Sequence, residues 1–252
     1  MKTVTIAGKK VEIYDDIETL PMVRFHKYNK LILVEGHIGS DLQAFDVHIE
    51  KAMIYISTGQ KENALAEMNL LRQNFYLIQE QITPDTMAFA ALVKSIDGEE
   101  CEDISDEGLK RTQKVFNTMP LGDFTDLADS VKKKIDQLLQ LYFPEVFDDA
   151  QAKEYFNELL RRTKLILMDI INDTEENEDE VQKITDELMT YSKPAIFTGK
   201  DSIEISHDKG FENLCLSISQ YLHADAKKYT VLQFYNSLEY VKAMHKAQAA
   251  VK

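Results

Sequence analysis

The chain has 252 residues, and its 43 acidic and 29 basic side chains give a formal net charge of −14. A surface this acidic repels nucleic-acid phosphates, which argues against a general DNA- or RNA-binding role. The apolar runs are too short to cross a bilayer, and the first residues lack the apolar core of a signal peptide. Because Cys101 and Cys215 cannot form a disulfide framework, we expect a soluble protein in a reducing, cytoplasmic environment, without membrane contact.

The chain begins with a pattern typical of strands. Residues 3–14 alternate between apolar and polar side chains around Gly8, which predicts a small β-hairpin within an N-terminal segment of residues 1–21. A lone hairpin is marginally stable, so it must pack against its own helices or against a neighbouring chain.

The apolar period becomes helical from residue 22, and glycines divide the following segment into one helix and a helix pair. Ser40 and Gln43 have the spacing of a capping box and predict the start of the pair. Each helix of the pair carries an apolar stripe, and the short connection between them predicts an antiparallel hairpin. The stripes are Phe45, Ile49, Met53 and Ile56 in one helix, and Leu65, Met68, Leu70 or Leu71, Phe75 and Ile78 in the other.

A further helix is predicted to begin at Thr83-Pro84 and to reach Val93, buried on all sides. A turn over residues 97–103 precedes a helix capped by Ser105, and amphipathic helices are predicted over residues 121–143 and 150–171. The acidic segment 172–180 predicts a solvated loop or mobile linker, since it contains no basic residue. We expect a short strand at Ile203–Ile205, two last helices, and a second capping box at Thr230-Val231-Leu232-Gln233.

These elements predict a mainly α fold: a multi-helix bundle with a small N-terminal β-hairpin and an optional short additional strand pair. A weak boundary near residues 117–123 divides the helices into a subdomain of residues 22–118 and a second one of residues 119–252. The second contains the acidic loop 172–180.

The motifs of common enzymes and metal sites are missing from the sequence. The six histidines form no His-x-x-x-His pair, the acidic runs do not match an EF-hand, and no nucleophile elbow or phosphate-binding loop occurs. Acidic neighbours raise the pKa of a thiol such as Cys101, and Cys215 lies in an apolar helical stripe typical of core packing. We therefore expect no catalytic residue, no metal and no cofactor.

The most distinctive local feature is the aromatic and basic run Arg24-Phe25-His26-Lys27-Tyr28-Asn29-Lys30. One interpretation is a partner-contact surface that uses Arg24, Phe25, Tyr28 and Lys30, because aromatic and arginine side chains anchor interfaces well. The other is an ordinary amphipathic helix with Phe25 inside and Lys27 and Lys30 outside.

Four segments carry a resemblance to a known group of proteins. They are Ile13-Tyr14-Asp15-Asp16-Ile17-Glu18-Thr19-Leu20-Pro21, the run Arg24 to Lys30, Leu92-Val93-Lys94-Ser95-Ile96-Asp97-Gly98, and Thr230-Val231-Leu232-Gln233-Phe234-Tyr235. In these segments the chain resembles proteins of tailed bacteriophages, in particular the crAss-like phages of gut Bacteroidales. The resemblance assigns no residue a chemical role.

This resemblance implies a virion structural or assembly protein: a component of the head–tail connector or tail, or a chaperone for one. Its partners would be other virion or assembly proteins or further copies of itself in a homo-oligomer, and it would reside in the virion or in the host cytoplasm during assembly. Two alternatives remain open from the residues. One is an acidic regulatory or inhibitory protein that binds a host nucleic-acid-binding protein, and the other is an enzyme with an unrecognised helical site.

Overall fold

The structure is a computed structural model and describes residues 1–144, 150–174, 176–191 and 194–250. It is 71% helical with a small antiparallel sheet, which confirms the predicted mainly α fold class. The chain forms two compact units: one contains Met1–Tyr142 and the segment from Ala195 onward, and the other is Phe143–Pro194. In the part of the chain that the structure describes, no helix combines the length and the apolar character needed to cross a membrane.

The sheet has four strands in the order β1-β2-β3-β4, all antiparallel: β1 Lys2–Ile6, β2 Lys9–Ile13, β3 Val93–Ile96 and β4 Glu99–Glu100. The predicted N-terminal hairpin is confirmed, with Ala7 and Gly8 both at positive φ (49° and 80°) as a tight hairpin turn requires. The additional strand pair is β3 with β4, joined at Asp97 and Gly98, which have φ of 53° and 85°. Because β2 also pairs with β3, the hairpin is stabilised by its own chain.

The first unit contains eight α-helices among the described residues, and two 3₁₀ turns at Phe116–Thr118 and Ala226–Lys228. The helices are α1 Met22–Ile38, α2 Leu42–Ser57, α3 Lys61–Gln79, α4 Pro84–Ala91, α5 Asp106–Gln113, α6 Leu121–Tyr142, α9 Ile203–Leu222 and α10 Val231–Ala250. The second unit contains α7 Ala150–Asn172 and α8 Glu178–Tyr191.

The core of the first unit is built where the sheet meets α1 and α4. Val11, Ile13 and Val93 are fully buried, and α4 is buried on every side as predicted. Backbone hydrogen bonds tie the chain before α1 to the chain before α10: the Met22 amide donates to the Tyr229 carbonyl at 2.8 Å, and the Val231 amide donates to the Leu20 carbonyl at 2.9 Å. The C-terminal helices therefore belong to the same unit as α1, and the predicted boundary between 22–118 and 119–252 falls inside that unit.

Several local predictions are confirmed and others need correction. Thr230 and Gln233 form the predicted reciprocal capping box, with hydrogen bonds of 3.1 and 3.3 Å. At α2 the cap is Asp41, which accepts a hydrogen bond from the Ala44 amide at 2.7 Å; Ser40 instead donates to Glu35. Asp41 lies one position closer to the helix, so its carboxylate satisfies the free amide and leaves the Ser40 hydroxyl to another acceptor.

Three element boundaries also differ from the prediction. The helix predicted to reach Val93 ends at Ala91, because Val93 pairs with β2. The predicted strand at Ile203–Ile205 is the first turn of α9, since a three-residue apolar alternation does not distinguish a strand from the start of a helix. The acidic loop is shorter than 172–180, because Glu178, Asp179 and Glu180 form the first turn of α8, where the helix dipole favours negative charge.

The second unit is an α7–α8 helix pair closed by polar contacts. Asp169 accepts hydrogen bonds from the Asn177 amide at 3.2 Å and from its side chain at 2.7 Å, which orders the connection. Arg162 donates to Thr185 at 2.8 Å, and Arg161 pairs with Glu180. These contacts link the two helices along their length.

Candidate interaction surface

The helical hairpin of α2 and α3 has a polar interior. His48, Glu67 and Asn74 are its buried polar side chains, although a core is normally apolar. The Nδ1 atom of His48 lies 2.7 Å from Oε2 of Glu67, and its Nε2 lies 2.9 Å from the carbonyl oxygen of Ile38. A carbonyl only accepts, so Nε2 carries a hydrogen, and one further proton is shared between Nδ1 and Glu67. The buried pair is therefore net neutral, which limits its desolvation cost.

Asn74 fixes the place where α1 turns into α2. Its side-chain amide donates to the carbonyl oxygens of Ile38 at 3.1 Å and of Asp41 at 3.2 Å. Between these residues Gly39 has a φ of 68°, and a Cβ at this position would lie 2.2 Å from the Cβ of Ala44. Glycine is therefore required by both backbone conformation and space.

The predicted hairpin of α2 and α3 is present, and most of the large apolar side chains along it face solvent, whereas Leu70 is buried and Phe45 and Ile78 are half-buried. Eight large apolar side chains of this surface have between 38% and 69% of their area exposed. We call this surface the apolar face: Leu42, Ile49, Met53, Ile56, Leu65, Met68, Phe75 and Tyr76. The residues that turn inward are His48, Ala52 and Tyr55 of α2, with Ala64, Glu67, Leu70 and Asn74 of α3.

The inward side of the hairpin carries the matched polar network in place of the apolar stripe. With His48 inward, the apolar stripe of α2 lies about 100° away around the helix. Small Ala52 and Ala64 side chains let the two helices approach on the inward side.

Both stripes lie on one side of the hairpin. Leu42, Ile49, Met53 and Ile56 fall within about 60° of one another around α2, and the four side chains of α3 fall within about 100°. Seen from each helix's own N terminus, the stripe is rotated in the same sense from the inward face. In an antiparallel pair, rotations in the same sense bring the two stripes to the same side. The α3 stripe extends further round its helix, where Leu65 and Tyr76 lie on the side that points away from α2.

The hairpin carries little net charge. Residues 42–79 contain four acidic and three basic side chains, whereas the whole chain has an excess of 14 acids. The apolar face therefore lies on a segment that is close to neutral.

The four residues predicted as a partner contact lie on α1, and three of them are turned into the core of this chain, whereas Lys30 is half-buried. Arg24, Phe25 and Tyr28 are buried. The Arg24 guanidinium donates to the carbonyl oxygens of Ala91 and Val93, both at 3.0 Å, and to that of Cys101. Burial lowers the pKa of Arg24 and raises that of Tyr28. The amphipathic-helix interpretation holds for Phe25.

Lys30 belongs to a cluster that joins α1 to α9. Its ammonium lies 2.7 Å from Asp208, whose other oxygen lies 3.0 Å from Nε2 of His26. The His26 ring stacks on His207 with ring centroids 4.5 Å apart and planes inclined by 13°. Although burial alone raises the pKa of Asp208, the hydrogen bonds from Lys30 and His26 outweigh it, and the net pKa is lowered.

His26, His207 and Asp208 could hold a metal ion, since their ligand atoms lie within 4.8 Å of one another. The ring geometry opposes this. A cation binds an imidazole nitrogen in the plane of the ring, and one cation cannot lie in two stacked, nearly parallel planes. As arranged, the cluster is an ion-pair network between two helices, in which Lys30 already supplies the positive charge.

A shallow acidic cavity of about 500 Å³ lies beside β4 and α5, and its lining includes Cys101, Glu102 and Asp103. The pKa of Cys101 is raised, as expected from its acidic neighbours, but the largest cause is burial. Cys215 is buried in the core as predicted, and burial raises its pKa to about 11. Neither thiol is activated as a nucleophile.

The second unit has an exposed apolar stripe of its own on α7. Its members share one side of the helix at helical spacing: Phe156, Leu160, Leu167 and Ile170.

No protein-family model, no curated protein and no solved structure matches this chain.

Proposed function

We propose that this protein is a non-enzymatic structural or assembly protein that acts through protein–protein contacts, and that the apolar face of α2 and α3 makes them. The observation that carries the proposal is the exposure of eight large apolar side chains on one side of a helical hairpin. Contiguous apolar patches on monomeric proteins seldom exceed a few hundred square ångströms, and larger ones mark interaction sites.

The resemblance to tailed-phage proteins supports a more specific form of the proposal. In that form the protein is a head–tail connector or tail component, or a chaperone for one, and it resides in the virion or in the host cytoplasm during assembly. Helical bodies with an exposed apolar face suit such assemblies, because each contact buries the face of a neighbouring subunit.

A comparison of three tagged chains in lysate from phage-producing cells tests the proposal. The wild-type chain is compared with the double variant Met53→Glu and Leu65→Glu, which places two carboxylates on the apolar face. Val47→Glu is the matched control, since Val47 is exposed but lies about 140° around α2 from Leu42. We expect the wild type and the control to capture the same virion proteins and the double variant to lose them. Equal capture by all three would contradict a role for this face.

A further inference from the structure

We propose that the apolar face binds a second copy of this chain, forming an isologous four-helix bundle from two α2–α3 hairpins. This inference rests on the proposed function and names its partner. The size of the face, its charge and the register of the hairpin favour this partner.

The apolar face is large enough for a stable dimer. Eight side chains, exposed by between 38% and 69%, offer on the order of 800 Å² of apolar surface, which is the area that each partner contributes to a standard-size interface. Two antiparallel helices with an apolar side form half of a four-helix bundle, and a second identical pair supplies the other half.

The charge of the face permits two acidic molecules to approach. Each copy carries a formal net charge of −14, which opposes self-association over the surface as a whole. The hairpin has a net excess of only one acid over residues 42–79. Association through the hairpin therefore brings together the part of each molecule where repulsion is small.

The register of the hairpin places one base and one acid at the same height. His48 contacts Glu67 across the helix pair. Asp46 lies two positions before His48, and Arg72 lies five positions after Glu67, so the two lie within about one helical turn of the same level. Both side chains are exposed. Asp46 borders the α2 stripe, and Arg72 falls within the angular range of the α3 stripe, between Leu65 and Met68.

A twofold axis parallel to the helices brings the base of one copy next to the acid of the other. Such an axis lays α2 of one copy against α3 of the other without shifting either helix along its length. Arg72 of each copy then lies beside Asp46 of the other within the contact. Since the contact is isologous, the pair occurs twice. Within its own chain the Arg72 guanidinium lies over the ring of Tyr76, a residue of the apolar face, 5.7 Å from the ring centre.

Light scattering on the full-length chain, over a range of concentrations and at two salt concentrations, tests the proposal. We expect a dimer for the wild type and for Val47→Glu. We expect the dissociation constant of the Met53→Glu and Leu65→Glu double variant to rise at least about a hundredfold, because four carboxylates would be buried in each dimer.

The charge pair gives an independent test of the arrangement. Arg72→Glu and Asp46→Lys should each weaken the dimer about tenfold by placing like charges together, and the variant with both changes should regain most of the loss. Circular dichroism of each variant checks that the helices are retained.

The outcomes separate the two proposals. A wild-type chain that stays monomeric at high concentration overturns the second copy as the partner. If that monomer still captures another protein through the apolar face, the proposed function survives with a different occupant; if capture is also insensitive to the face, both fail. A dimer that the face variants leave unchanged also overturns the inference.

Discussion

Replacing Arg24 distinguishes a structural role for this α1 residue from the partner-contact role that the sequence suggested. Arg24 is 8% exposed and donates to three carbonyl oxygens, of Ala91, Val93 and Cys101. A hydrogen bond from a charged group contributes about 1.5–3 kcal/mol, and such contributions are not additive. Arg24→Ala leaves three acceptors without this donor and opens a cavity, so we expect the free energy of unfolding to fall by about 4 kcal/mol.

Equilibrium unfolding in urea, followed by circular dichroism, measures this loss. Arg24→Lys keeps the charge but offers fewer donors in a different geometry, so about half of the loss is expected if the alanine variant does not fold. Lys27→Ala is the matched control: its ion pair with exposed Asp106 should contribute less than about 1 kcal/mol. A loss under about 1 kcal/mol for Arg24→Ala would refute the structural role.

Three further perturbations test the buried groups. His48→Ala removes the hydrogen-bond partner of the buried Glu67 side chain and should lower the free energy of unfolding by about 3–5 kcal/mol in urea titrations. A loss below about 1 kcal/mol would contradict a stabilising contact between His48 and Glu67. Burial raises the pKa of Cys215 to about 11. We therefore expect a thiol reagent at pH 8 to label Cys215 far more slowly in the native chain than in the unfolded chain. Equal labelling rates would contradict the burial of Cys215 in α9. Burial also raises the pKa of Glu35 above 4.5. Above its pKa in the folded chain, ionised Glu35 therefore lowers the free energy of unfolding. As the pH falls toward the ordinary value of 4.5, protonation of Glu35 removes this loss. Glu35→Gln should raise the melting temperature at pH 7 and lose this advantage near pH 4; an unchanged difference between the two pH values would contradict the assignment.

Local sequence patterns predicted the elements that are determined by residues close together in the chain. Helix α6 buries the stripe that its period indicates: Phe124, Leu127, Val131, Ile135 and Leu139. The capping box at Thr230 and the hairpin at Gly8 depend on interactions within a few residues, so the sequence specifies them directly. The same holds for the turn at Asp97 and Gly98.

The apolar face and the role of Arg24 depend on contacts between distant segments. The acceptors of Arg24 lie 67 to 77 positions further along the chain, and no local pattern shows that they converge on it. In α2 and α3 a polar signal was present: Glu67 and Asn74 lie seven positions apart on one side of α3, and His48 lies on the inward side of α2. Burial of such a polar side becomes favourable only when the partners are matched across the helix pair.

Oxidative footprinting of three methionines tests the central claim most directly. Met53 and Met68 on the apolar face are 64% and 51% exposed, whereas Met87 in the core is 3% exposed. In dilute solution we predict fast oxidation of Met53 and Met68 and slow oxidation of Met87. When concentration or a partner drives assembly, Met53 and Met68 should become protected, while Met87 stays unchanged. If Met53 and Met68 are as protected as Met87 in dilute monomer, or stay reactive in every assembly, the apolar face is not the contact surface.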